Sequence, residues 1–123
     1  MQPATFTVDR VHGISVVHLK GDLRVDSVPE ISRTLFESLQ GEKTVVVDLT
    51  ELSYIDSAGI ATLVALYKRT RDSGTGRIVL CGASPQIWGV FKTMKLDSLF
   101  ESYSTLDQAL EAVDLVDTKP PQS

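Results

Sequence analysis

Thr44-Val45-Val46-Val47-Asp48-Leu49 is a nearly unbroken β-branched run. A strand with one wet face alternates apolar and polar residues; this run does not, so it reads as a strand covered on both faces, as in a parallel sheet. It is expected at the sheet's centre. Downstream, Ser57 falls where a helix begins. Ile60, Leu63, Val64 and Tyr67 then share one face, Lys68, Arg69 and Arg71 gather near the far end, and Gly74 supplies a stop. Residues 77–81 repeat the buried-strand pattern, and Ser84-Pro85 caps a third helix with Ile87, Val90, Phe91 and Met94 on one face. Residues 99–103 give a last short strand, and Thr105 caps a terminal helix that turns Leu106, Ala109, Leu110 and Val113 inward.

Upstream, residues 4–8 and 14–19 are short strand-like runs joined by Asp9-Arg10-Val11-His12-Gly13, an antiparallel hairpin. Ser27-Val28-Pro29-Glu30 matches a capping box, after which Val28, Ile31, Leu35 and Leu39 follow at helical spacing up to Gly41. The order ββαβαβαβα predicts an α/β single domain: a mixed central β-sheet with an antiparallel N-terminal edge and about four packed α-helices. The domain is expected over residues 4–116, and 117–123, with two prolines and no packing side chain, as a flexible C-terminal tail.

Composition narrows the function. Of 123 residues, 42% are hydrophobic and 23% charged, which suits one soluble domain with a core of its own. A net charge of −4 argues against nucleic acid and against attachment to anionic lipid. Cys81 is the single cysteine and His12 and His18 the only histidines, too few for a disulfide framework or a metal site, so neither metal nor cofactor is expected. No apolar run approaches the ~18 residues of a membrane span, and Met1 to Pro3 open no signal-like stretch, so a cytoplasmic chain without membrane insertion is expected.

In folds of this kind contacts favour the loops leaving the strand ends, which directs attention to the segment after Leu49. Ser57 there has two readings. Its hydroxyl can cap the amides of the following helix, or it can accept a phosphoryl group, since a helix N-terminus offers free amides and a positive dipole end to an anion. Ala58 and Gly59 carry almost no side chain, which suits close approach by a partner's active site and equally tight packing of the helix. Other chemistry has little support. Ser57 lacks a Gly-x-Ser-x-Gly setting and both histidines fall in the first hairpin, so no hydrolase triad and no catalytic residue is assigned. Asp48 and Asp56 serve as turn and dipole residues rather than a carboxylate pair, and Gly74-Thr75-Gly76 lacks the lysine of a phosphate-binding loop. Trp88, off the apolar stripe of its helix, suits a core margin or a partner contact, and Cys81 a small core position.

Tyr54-Ile55-Asp56-Ser57-Ala58-Gly59-Ile60 resembles the phosphoacceptor loop of bacterial anti-sigma factor antagonists of the STAS domain family. Gly21-Asp22-Leu23 is similar to the family's Gly-Glu-Leu element after the second strand, Val46-Val47-Asp48-Leu49 to its central strand, and Leu96-Asp97-Ser98-Leu99-Phe100 with Leu106-Asp107-Gln108-Ala109-Leu110 to its closing region. The resemblance implies a STAS-like fold and phosphorylation on Ser57. It implies that the unphosphorylated chain binds an anti-sigma factor that is also an ATP-dependent serine kinase, releasing the sigma factor. A PP2C-type serine phosphatase would reverse the modification. Asp22, Arg24, Asp56, Ser57, Ala58 and Gly59 are then the partner-binding residues, with Arg24 standing where family members commonly carry an acid, which suits pairing with a phosphate, a different partner or a solvated loop position, and Ala61 where they often carry glycine. The alternative from the same family is an unphosphorylated accessory or scaffold subunit of a lipid-transport ATPase or stress-sensing complex, with Ser57 as a helix cap or a static contact. A third possibility, a module for a nucleotide or small apolar ligand, has no sequence feature that specifies a pocket.

Overall fold

The strands are β1 (Thr5–Val11), β2 (Ile14–Leu23), β3 (Thr44–Ile55), β4 (Arg77–Cys81) and β5 (Glu101–Tyr103). The helices are α1 (Val28–Ser38), α2 (Ser57–Asp72), α3 (Pro85–Thr93) and α4 (Leu106–Asp117), giving the expected order ββαβαβαβα. The computed structural model describes residues 2–72 and 76–117. The sheet runs β1-β2-β3-β4-β5, with β1 antiparallel to β2 and every later pair parallel. Thus β3 is central, as its β-branched run requires.

Its neighbours explain the missing wet face. Val45, Val47 and Leu49 pack in a core with Ile31 and Leu35 of α1, Ile60 and Leu63 of α2, and Ile87 and Phe91 of α3. Val46 points the other way, into a smaller core closed by Ala109 and Val113 of α4. Each of these valines is completely buried, a gain of about 1.5–3 kcal/mol apiece before the entropy of ordering is counted.

Several local expectations are corrected. The hairpin loop is only His12-Gly13, both at positive φ (52° and 80°), because Asp9, Arg10 and Val11 pair with Val16, Ser15 and Ile14. Consecutive positive φ values give the turn twist that matches paired strands. Both β2 and β3 outrun the segments legible in the sequence, reaching Leu23 and Ile55. Register shifts at His18/Lys20 and Gly21/Asp22 absorb extra residues, so Leu49, Leu52 and Ile55 are all buried although they recur every third position. That spacing conceals a strand from a period-two reading. Gly21-Asp22-Leu23 accordingly ends β2 rather than following it.

The capping box at Ser27 does not form. Ser27 has helical dihedrals (φ −95°, ψ −15°) and no capping bond. Its hydroxyl instead accepts from Arg24 N–H at 3.2 Å and reaches the Asp22 carbonyl at 3.1 Å, folding the loop between β2 and α1 on itself. Ser84 does cap α3, accepting from Ile87 N–H at 3.2 Å, and Thr105 accepts from Gln108 N–H at 3.1 Å at the start of α4. Met94 is exposed as the C-cap of α3 rather than inside, and β5 keeps only the last three of its expected residues because Leu99 closes a turn onto the Leu96 carbonyl. Trp88 takes the core-margin role, stacked on Phe91 with centroids 5.0 Å apart. Asp117, assigned to the tail, ends α4; Gly74 and residues 118–123 lie outside the described residues.

Candidate functional site

Parallel pairing of β2 with β3 sets Asp22 beside Tyr54 and Leu23 beside Ile55. The loops into α1 and α2 therefore leave the same sheet end side by side, and Asp56 ties them together. Its backbone N–H donates to the Leu23 carbonyl at 3.2 Å. One carboxylate oxygen accepts from Gly59 N–H at 3.0 Å and the other from Val25 N–H at 3.0 Å. Burial pushes the Asp56 carboxyl upward, but the N–H groups of Gly59, Val25 and Ala58, with the positive charge of Arg24, hold it below the ordinary 3.8.

This arrangement corrects the reading of Ser57 as the cap. Asp56 performs that role, and Ser57 is the exposed first residue of α2, its hydroxyl making no hydrogen bond among the described residues. The same carboxylate already occupies the amides that an incoming anion was expected to find. Gly59, by contrast, is buried and contributes through the side chain it lacks: a Cβ there stands 2.5 Å from the Leu23 carbonyl oxygen and 2.7 Å from Ile55 Cγ1. Of the two readings of the small residues, close packing applies to Gly59, while Ala58 is half-buried at the rim.

Asp22, Arg24, Asp56, Ser57, Ala58 and Gly59 are thus gathered at one sheet end. Asp22 N–H donates to the Gln2 carbonyl at 2.9 Å, which lays the N-terminal segment across the end of β2. The Arg24 guanidinium carbon lies 5.8 Å from the centroid of the Tyr54 ring. Sequence reasoning missed Tyr54 and Val25 as surface groups: they are 50% and 64% exposed, Tyr54 in register with Asp22 and Val25 bonded to Asp56, and they add apolar area that a partner can cover. Tyr54 points outward between buried Leu52 and Ile55, a signal hidden by the irregular register of β3. Beyond Asp22 and Arg24 opens a groove of about 660 Å³ between β1 and α1, with Phe6 and Ile31 among its lining and Asp26 and Glu30 adding negative charge.

Nothing resembling a triad is assembled among the described residues. His12 is at the hairpin turn, at the other end of β2 from Ser57, roughly 30 Å along the strand. His18 stands between Asp48 (2.9 Å) and Asp9 (3.1 Å), beside mid-β3. Asp48 and Asp56 are separated by most of β3, roughly 25 Å, so they form no pair. Cys81 is buried, its thiol pushed up to about 12 by burial and by the neighbouring Asp48 charge. Among the described residues no cluster of His, Cys, Asp or Glu is placed to hold a metal ion, and no helix is long and apolar enough to cross a membrane.

Comparison with known proteins agrees with this architecture. The family model described as STAS domain matches residues 5–109. BtrV of Bordetella bronchiseptica, named as an anti-sigma factor antagonist, is 29% identical over 107 residues, covering 86% of this chain and 91% of its own. The anti-sigma-B factor antagonist of Listeria monocytogenes is 29% identical over 87 residues, covering 69% and 75%. The crystal structure of an anti-sigma factor antagonist from Mycobacterium paratuberculosis superimposes with a TM-score of 0.80 at 27% identity, covering 89% of this chain and 93% of that one.

Proposed function

Because the chain belongs to the STAS domain family, we propose that it is an anti-sigma factor antagonist working as a binding switch, with Ser57 as phosphate acceptor. The observation that carries this reading is the division of labour at the start of α2. Asp56 caps the helix and staples the adjoining loop, which leaves the Ser57 hydroxyl exposed and structurally unemployed. The accessory-subunit alternative casts Ser57 as a helix cap or a static contact, and Asp56 already fills the first of these roles.

In the unphosphorylated state, Ser57, Asp56, the half-buried Ala58 and exposed Val25 and Tyr54, flanked by Asp22 and Arg24, form the surface presented to an anti-sigma factor with serine kinase activity in the cytoplasm. The kinase directs the γ-phosphorus of ATP onto the Ser57 oxygen; the bond to ADP breaks and the hydroxyl proton leaves to base. A PP2C-type phosphatase hydrolyses the ester to serine and inorganic phosphate. Phosphorylation adds about −1.5 to −2 charge beside the Asp56 carboxylate, whose proton affinity is held low, at the centre of the contact. A penalty of ~3 kcal/mol weakens binding roughly a hundredfold. No refolding is required, since Ser57 supports nothing else.

The test is a quantitative pull-down from extract of cells that make the protein, comparing wild-type bait with folded Ser57→Asp bait. The expected result is a serine kinase of anti-sigma type captured by wild type and lost with the aspartate, together with phosphate on Ser57 of wild type and none on Ser57→Ala. Equal capture of one partner by both baits, or stoichiometric phosphate on the alanine variant, would overturn the assignment.

A further inference from the structure

Phosphate on Ser57 meets a crowded helix start. The amides of Gly59 and Ala58 are already directed at the Asp56 carboxylate, so a dianion there gains little from the helix end and faces a fixed negative charge. The cation that this site already uses is Arg24, whose charge acts on Asp56 and whose guanidinium lies 5.8 Å from the Tyr54 ring. The Val25 N–H bond to Asp56 holds the backbone beside Arg24 against that beside Ser57, and an extended arginine reaches roughly 6 Å from its Cα. Ring contact engages the flat face of a guanidinium, whereas phosphate is bound in its plane, so both are compatible.

Resting on the reading of Ser57 as phosphate acceptor, we propose that Arg24 is the internal clamp for that phosphate. It turns from the Asp56 field to the phosphoserine oxygens and holds the modified group against its own chain. Among the groups that compete for it are Asp56 and the carboxylates of Asp22, Asp26 and Glu30 around the same groove. Against these single-charge carboxylates, the phosphate combines a near-double charge with several acceptor oxygens for a bidentate fork. The phosphorylated surface then differs from the unphosphorylated one at Ser57 and in the direction of the Arg24 charge, while the Tyr54 ring contact is kept.

Phosphoserine installed at position 57 during translation allows a direct test by phosphorus NMR titration of the full chain. With Arg24 present the second phosphate pKa is expected about half a unit or more below that of the Arg24→Ala chain, with Arg24→Lys between them. The difference is expected to vanish in denaturing urea, since residues 24 and 57 are distant in sequence. Equal values for the wild-type and Arg24→Ala chains, or a difference that survives in urea, would overturn the clamp. Because no kinase is needed, the titration reads out even where Ser57 is not modified in cells. That separate failure appears as absence of phosphate on Ser57 of protein isolated from its source.

Discussion

Two glycines inside helices make opposite predictions from one substitution. Alanine normally improves a helix over glycine by roughly 0.5–1 kcal/mol. At Gly89 in α3 a Cβ meets nothing within 4 Å, so Gly89→Ala is expected to gain about that amount. At Gly59 the same atom stands 2.5 Å from the Leu23 carbonyl oxygen, where an ordinary carbon–oxygen contact is roughly 3.3 Å. Relief requires α2 to retreat by ~0.8 Å, which also strains the Asp56 N–H bond to that carbonyl and the Asp56 cap. A contact this short with backbone belongs at the upper end of overpacking costs, about 2–3 kcal/mol, so after the helix gain the net loss is about 1–2.5 kcal/mol. Urea unfolding followed by far-ultraviolet circular dichroism measures both variants against wild type. A Gly59→Ala protein as stable as wild type, in the same experiment that shows the Gly89→Ala gain, refutes the close seating of α2 on the end of β2. The placement of Ser57 falls with it.

Asp56→Ala is expected to cost about 2 kcal/mol near neutral pH, from the lost cap and the lost bond to Val25. Since the folded carboxyl is held below its ordinary value, that contribution is present above the unfolded pKa and lost as pH falls through the folded one; the unfolding curves of variant and wild type should converge in acid. Ser57→Asp should leave stability within about 0.5 kcal/mol, because the side chain is exposed and bears no structural bond; a fall of several degrees in Tm contradicts the vacancy of that hydroxyl. Cys81, buried and with its thiol pushed up to about 12, should react with thiol reagents far more slowly than a free cysteine, by roughly tens-fold from the raised pKa alone, until urea exposes it, and rapid native labelling refutes its burial.

Patterns confined to one element were legible in the sequence because the forces behind them are local. The β-branched run around Val46 announces a strand covered on both faces, and Ser84 and Thr105 announce helix starts that their hydroxyls do cap. The motif around Ser57 was visible as well, together with the family it resembles. Features that depend on two segments meeting were not. Whether Ser57 or Asp56 caps α2, and whether Ser27 caps α1 or folds its own loop, depends on where β2 ends beside β3. The strand tails to Leu23 and Ile55 escaped because register shifts break the period-two signal, and a shift is a property of a pair of strands rather than of either one. Gly59 reads as a poor helix residue until the Leu23 carbonyl is seen against it. Sequence by itself determined the order of elements and the central strand, since burial periodicity and turn chemistry act within a few residues, and it carried the motif through which the chain resembles the STAS family. Only the tertiary structure decided which side chain caps, which is left exposed and which cation stands beside it, since those outcomes turn on the meeting of the loops after β2 and β3, as in the Val25–Asp56 bond between residues 31 positions apart.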